Sequence, residues 1–277
     1  MKLNLYNVKN IKDDEIIGRC DFKDILLDGL VLKDIRNENY PNLKKWLRYQ
    51  LFQRKDADMI LKKSDVILKL GWYKECVDVN KRYFDCIFSM KTYLNMFLKL
   101  YNLQAINYAW LLIYFDDIFS NENISKFCRK NNIKIKDFNV LFNELERFAK
   151  NTHTLGNYMP VADNKYNQIK GSKWVYNDRI EWFLKDIFND VNNNYYKWFD
   201  NNIEKLDLDG LFDDVDKRII SSELLNFEIH KTNKFTVNDI IKYYQYLRIV
   251  NKWIEKRTNI LAKILYLIFD YPHKHYT

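Results

Sequence analysis

The chain has 277 residues, of which 47% are hydrophobic and 16% aromatic, with only 6 Gly and 3 Pro. This composition is typical of a folded, helix-rich protein and not of a disordered one. Its four cysteines lack C-x-x-C spacing, which predicts reduced thiols in a cytoplasmic protein. No apolar run reaches the roughly 18 residues of a membrane span, so we expect no membrane contact.

The charge balance is basic, with 45 Lys and Arg against 37 Asp and Glu and a net charge of +8. Such a balance favours polyanionic partners, either RNA, DNA or an acidic protein, because cations neutralise phosphates and release counterions. Lysine far outnumbers arginine, and an AT-rich coding sequence would by itself raise the lysine content. Charge alone therefore leaves nucleic-acid contact an open question.

Apolar residues recur at three- and four-residue steps along most of the chain, which predicts an all-α multi-helix bundle. Near the start, two short apolar runs around Asp28-Gly29 are compatible with a small N-terminal β-hairpin. The predicted helices, in chain order, are 41–54, 56–70, 76–100, 103–119, 120–132, 137–152, 177–188, 195–206 and 238–270.

Two of these helices carry more specific expectations. Segment 108–115 is apolar all round, which predicts a helix buried at the centre of the bundle. Adjacent residues on a helix point about 100° apart, so Asp116 and Asp117 are not expected to form a metal site. A buried carboxylate paired with an arginine is expected instead. Helix 137–152 is expected to be capped by Asp137. Its inward residues are predicted to be Phe138, Leu141, Phe142, Leu145 and Phe148.

Domain organisation is predicted as a single elaborated helical domain, 1–277. The acidic segment 207–216 offers the alternative of a main domain, 1–206, and a C-terminal helical subdomain, 217–277. That segment lacks the closing glutamate of a calcium loop, so a solvated connection is expected. No histidine pair or other metal-ligand cluster is present, and we predict no metal and no cofactor.

The most informative segment follows helix 137–152. Arg147 precedes His153 by six residues, and 154–173 lacks helical periodicity, which predicts a functional loop. One hypothesis makes His153 the general acid or base at an RNA 2′-hydroxyl, with Arg147 stabilising the charge that develops on phosphorus. The other gives His153 a structural role at the helix end, where its ring contacts free carbonyl groups.

This arginine–histidine spacing resembles the signature of the HEPN ribonucleases, which occur in toxins and antiphage effectors. Here it reads Arg147-Phe-Ala-Lys-Asn-Thr-His153, on a basic and predicted all-helical chain. The resemblance implies metal-independent RNA cleavage by Arg147 and His153. It also implies a homodimer, because that family joins two such motifs across an interface.

A longer segment, His153-Thr-Leu-Gly-Asn-Tyr-Met-Pro160, is similar to a group of uncharacterised helical proteins from low-GC Gram-positive bacteria and their phages. The resemblance implies a bacterial or phage cytoplasmic source, with the loop from Tyr166 folded back beside the histidine. The predicted binding residues around this segment are Asn151, Thr154, Asn157, Tyr166, Lys170 and Lys173.

Two functions follow as hypotheses. The one we favour is a basic helical binding protein of a bacterial or phage defence or counter-defence system, which contacts nucleic acid or a protein partner. Its predicted contacts are lysines and the aromatic side chains of Trp174, Tyr176, Trp182 and Tyr195. The alternative is a metal-independent endoribonuclease of the toxin or abortive-infection type, with Arg147 and His153 catalytic.

Overall fold

The computed structural model describes residues 39–52, 83–101, 103, 107–161, 212–214, 219–220 and 237–270. This part of the chain is an all-α bundle, as predicted. Its helices are α1 (Pro41–Phe52), α2 (Met90–Leu100), α3 (Tyr108–Ile113), α4 (Phe115–Ile118), α5 (Asn121–Lys130), α6 (Ile135–Asn151) and α7 (Val237–Asp270). None of the described helices is both long enough and apolar enough to cross a membrane.

Two short antiparallel strand pairs accompany the helices. Strand β1 (Tyr83–Cys86) pairs with β2 (Tyr158–Val161), with Cys86 opposite Tyr158, and β3 (Phe212–Asp214) pairs with β4 (Ile219–Ile220). The β1–β2 pair joins the segment before α2 to the segment after α6. It thereby holds these two segments together next to the end of α6.

Helix α6 lies in the core, and its predicted inward face is confirmed. The five predicted side chains are all buried. Phe142 stacks on Phe97 of α2 with ring centroids 5.0 Å apart, and Phe148 meets Tyr93 edge-on at 4.6 Å. Such ring contacts add to the stabilisation from apolar burial. α6 also packs on α1 and α7, so it connects the main elements of the described bundle.

Helix α1 begins at Pro41, as predicted, and its start is capped from another helix. Glu146 of α6 accepts hydrogen bonds from the backbone N–H of Asn42 at 2.7 Å and of Leu43 at 2.8 Å. Burial raises the pKa of Glu146, against the opposing effect of these bonds. The first N–H groups of a helix have no partner within it, so this carboxylate satisfies two of them and ties the start of α1 to α6.

The other helix boundaries are mostly as predicted. Helices 41–54, 120–132 and 238–270 correspond to α1, α5 and α7, with differences of one or two residues at the ends. Ser120 caps α5 by accepting a hydrogen bond from the N–H of Asn123 at 3.3 Å. α6 begins at Ile135, so Asp137 lies within its first turn and is not the capping residue.

Two helix predictions were wrong. The described part of helix 76–100, residues 83–100, is instead strand β1 followed by α2, because residues 83–86 pair with a strand more than seventy positions later. Residues 76–82 lie outside the described residues. Helical periodicity cannot detect such a partner. Helix 103–119 is split into α3 and α4 at Tyr114, and Asn107 caps α3 by accepting a hydrogen bond from the N–H of Ala109 at 2.8 Å.

Segment 108–115 is not buried at the centre of the bundle. Trp110, Ile113 and Tyr114 are 46%, 74% and 43% exposed, whereas Leu111 is buried. An apolar pattern on all sides of a helix is typical of a buried helix, but the pattern does not show whether other elements cover it. The predicted partner of Asp116 was also wrong: its carboxylate is 65% exposed and lies 2.7 Å from the ammonium of Lys44, which is only 3% exposed.

Several predictions fall outside the described residues. These are the hairpin at 25–32, helices 56–70, 177–188 and 195–206, and the aromatic residues Trp174, Tyr176, Trp182 and Tyr195. The choice between one domain and two also stays a prediction.

Candidate functional site

The predicted site lies where α6 ends against α7. After Asn151 the chain turns through a short 3₁₀ helix, Leu155–Asn157, and enters β2. Residues 151–158, called the α6 turn below, are all buried. Residues 154–158 of the predicted functional loop are therefore packed inside the protein.

His153 lies between aromatic rings. It is 6% exposed, with its ring centroid 4.8 Å from that of Tyr49 in α1 and 6.2 Å from that of Tyr158. A general acid or base must come within hydrogen-bond reach of its substrate. An RNA hydroxyl can reach this imidazole only if the surrounding rings move apart.

Asn157 connects the α6 turn to the segment before α2. Its amide oxygen accepts a hydrogen bond from Phe88 N–H at 2.9 Å, and its amide nitrogen donates to the carbonyls of Phe88 at 2.9 Å and Thr152 at 2.7 Å. The carbonyl of Asn157 also accepts from Ile87 N–H at 2.6 Å. One fully buried side chain thus satisfies backbone groups on two segments, which buried polar groups require.

Gly156 allows the α6 turn to touch the backbone of α7. Its N–H donates to Thr258 Oγ1 at 3.1 Å. A Cβ atom at this position would lie 2.1 Å from Thr258 Oγ1 and 2.3 Å from the carbonyl oxygen of Ile254. Glycine is required here because the helix leaves no room for a side chain, and not because of an unusual backbone angle.

Arg257 of α7 is bonded to the same turn from within the core. It is 1% exposed, and its Nη1 donates to the carbonyls of Gly156 at 2.8 Å and Tyr158 at 2.6 Å. The guanidinium also lies 5.6 Å from the ring centroid of Trp253. Carbonyl oxygens and an aromatic face offset the unfavourable burial of the charge.

Arg147 faces α7 and is bonded to carboxylates. Its Nε and Nη2 donate to the two oxygens of Glu255 at 2.7 and 2.5 Å, and Nη1 lies 3.4 Å from Glu144. These bonds raise the pKa of Arg147, against the lowering effect of burial. Burial acts to raise the pKa of Glu255, but the hydrogen bonds from Arg147 and Asn151 outweigh it and hold that pKa below its usual range.

Asparagine amides extend this network. Asn151 donates to Glu255 at 3.0 Å and to Asn251 at 3.3 Å, and Asn251 donates to the side chain of Glu144 at 2.8 Å. Thr154 donates to the carbonyl of Asn151 at 2.8 Å. The predicted binding residues Asn151, Thr154 and Asn157 therefore all hold bonds within the protein.

Arg147 and His153 lie in the same region of the structure, but their side chains have different neighbours. Arg147 contacts the carboxylates of α6 and α7, whereas His153 contacts the tyrosine of α1. Their catalytic pairing, and the binding roles of the neighbouring side chains, stay predictions. Tyr166, Lys170 and Lys173 lie outside the described residues. Within the described ranges, no group of three or more His, Cys, Asp or Glu could hold a metal ion.

Sequence reasoning missed two features of α7. One is the buried pair Arg257 and Thr258, which give no signal in the sequence without knowledge of what packs there. The other is an exposed row of cations on the opposite side of the helix, here called the α7 basic face: Lys242, Arg248, Lys252 and Lys256. Their spacing did carry a signal, because residues separated by three to four positions, or by multiples of that, share a helix face.

Comparison with protein-family models, with curated proteins and with solved structures gave no match.

We expect Gly156→Ala to lower the free energy of unfolding by more than about 2 kcal/mol, because the new methyl group collides with the backbone of α7. Chemical denaturation followed by circular dichroism measures this change. The control is Gln245→Ala on the exposed face of α7, which should have almost no effect. Equal stability of the two variants would contradict the close contact at Gly156.

The lowered pKa of Glu255 predicts a pH dependence. Stability from this group is fully present above its unfolded pKa, near 4.5, and is lost as pH falls through the lower folded pKa. Glu255→Gln should therefore be less stable than the wild type at about pH 7, and the difference should shrink towards about pH 3. Urea titrations across this range test it, and a difference independent of pH would contradict the assignment.

Proposed function

We propose that the protein is a basic helical binding protein that contacts nucleic acid through the α7 basic face. One observation carries the proposal: every exposed charged side chain between Ile240 and Ala262 is a lysine or an arginine. The carboxylate in this range, Glu255, is bonded to Arg147 at the interface with α6. Glu255 lies at the edge of the face and is partly exposed, but its charge is engaged by Arg147.

The four cations have a spacing suited to a polyanion. At about 100° per residue they fall within about a 120° arc of the helix, and at about 1.5 Å per residue they span about 21 Å. Phosphates follow one another every 3.4 Å or so of axis along each strand of a duplex. The α7 basic face is thus long enough to meet several phosphates.

The opposite side of α7 is fixed to the bundle. Arg257 bonds the α6 turn, and Glu255 bonds Arg147. A row of cations on a fixed helix can bind without first ordering its backbone, which reduces the entropy lost on association. The same contacts that hold the fold together thereby preorganise the proposed binding face.

The composition of the face favours phosphate contact over base recognition. Three of its four cations are lysines, which act as point charges and lack the planar fork that arginine uses to bind guanine. Contacts to phosphates position a protein but carry no sequence information. We therefore propose binding that depends weakly on nucleotide sequence. A role in bacterial or phage defence or counter-defence is part of the same proposal, on the resemblance of the Arg147–His153 spacing to a signature that occurs in antiphage effectors.

Salt dependence gives the most direct test. With four cations engaged, the logarithm of the affinity for single-stranded RNA should fall against the logarithm of salt concentration with a slope of about −3. Replacing Lys252 and Lys256 by Gln should weaken binding and reduce the magnitude of that slope by about 1.4. Fluorescence anisotropy with a labelled oligonucleotide of mixed sequence measures both quantities.

The matched control replaces Lys130 and Lys136 by Gln, since both lysines are exposed on other helices and the change in net charge is the same. This control should bind nearly as the wild type does. Equal weakening by the two double variants would mean that net charge, and not the α7 basic face, attracts the nucleic acid.

The ribonuclease hypothesis requires His153 to reach RNA. Since that ring is packed between Tyr49 and Tyr158, we expect no cleavage of labelled cellular RNA by the wild type in EDTA. Gel electrophoresis after extended incubation measures this. Cleavage that disappears in a folded His153→Ala variant would instead favour the endoribonuclease, with His153 at its site.

A further inference from the structure

Helices α6 and α7 lie side by side and run in the same direction. Asn251 donates to Glu144 at 2.8 Å, and one turn further along both helices Arg147 donates to Glu255 at 2.7 Å. The two bonds join residues 107 and 108 positions apart, so a step along α6 corresponds to a similar step along α7. Each residue of α6 can therefore be assigned a level on α7.

Lys150 lies next to the line of contact between these helices, here called the α6–α7 seam. It is exposed, and the following residue, Asn151, donates to Glu255 at 3.0 Å. Burial acts to raise the pKa of Glu255, and the charge of Lys150 is among the opposing effects that lower it, so the ammonium lies near that carboxylate. Lys252 precedes Glu255 by three residues, which makes the two side chains neighbours on α7. Lys150 and Lys252 therefore lie at one level, on different helices.

The charges of these two lysines are not used within the protein. In the part of the chain that the structure describes, neither lysine forms a salt bridge with a carboxylate. Glu255, the acidic residue beside both, accepts two hydrogen bonds from Arg147. Two ammonium groups on neighbouring helices repel each other, and an anion that contacts both removes this repulsion. The seam at this level thus favours a phosphate.

The other exposed charged residue of α6 has no such neighbour. Lys136 lies 14 residues before Lys150, or about 21 Å along the helix, and is level with the start of the α7 basic face. The cation of that face at this level is Lys242. It precedes Asn251, which faces α6, by nine residues, and so points about 180° away from α6. Of the two lysines, only Lys150 continues the α7 basic face onto α6.

We infer that Lys150 is a further phosphate contact of the bound nucleic acid, so that the binding surface crosses the α6–α7 seam. This inference rests on the proposed function and adds a residue from a second helix to the four of the α7 basic face. Packed helices lie about 8–10 Å apart, so a nucleic-acid backbone that contacts Lys252 can reach Lys150 within a few nucleotides. Basic side chains of both helices then engage one ligand.

The test measures the salt dependence of binding. With five cations engaged, the slope for single-stranded RNA should be about −3.5, and Lys150→Gln should reduce its magnitude by about 0.7. Lys150→Arg keeps the charge and should keep the wild-type slope. Fluorescence anisotropy with a labelled oligonucleotide of mixed sequence gives the slopes. Lys150 is exposed, so both variants should fold as the wild type does, which circular dichroism can verify.

The matched control is Lys136→Gln, which removes the same charge from the other end of the same helix and should leave the slope unchanged. Equal reductions by Lys136→Gln and Lys150→Gln, or a reduction that Lys150→Arg shares, would overturn the inference. So would an unchanged slope in Lys150→Gln while the Lys252 and Lys256 double variant still weakens binding, which would leave the proposed function standing. Absence of RNA binding by the wild type, or no effect of that double variant, would overturn both.

Discussion

The close contact between the α6 turn and α7 is the constraint on which the described fold depends. Gly156 lets the two backbones approach, while Arg257 occupies the interior and donates to two carbonyls of the turn. Asn157 then bonds the turn to the segment before α2. Loss of the Arg257 or Asn157 side chain leaves buried polar groups without these partners, which is expensive inside a protein. A side chain at Gly156 would instead collide with α7.

This contact explains how α7 can carry polar bonds on one side and a basic face on the other. The buried side of α7 carries the polar and charged bonds to α6, which leaves the outer side free to concentrate lysine. On the far side of α6, α1 is positioned by Glu146 and in turn supports α3. The polar network at the interface of α6 and α7 includes Arg147, so the residues first suspected of chemistry form part of the support for the α7 basic face.

The sequence predicts what depends on local periodicity and misses what depends on distant partners. The inward face of α6, from Phe138 to Phe148, follows from spacing alone, as does the extent of α7. Strand β1 does not, because Tyr83–Cys86 is defined by its pairing with β2. Segment 153–160 stood out as unusual, but the reason for Gly156 becomes visible only once Ile254 and Thr258 are known to lie against it. Apolar periodicity likewise could not show that Trp110 and Ile113 face solvent.

Photo-crosslinking of bound RNA followed by mass spectrometry tests the central claim most directly, because one spectrum compares the two candidate contact regions. Crosslinks are expected in peptides that contain Lys242, Arg248, Lys252 and Lys256, with little or no crosslinking in the α6 turn. Crosslinks concentrated at residues 151–158 would contradict a structural role for that turn and would place RNA beside His153.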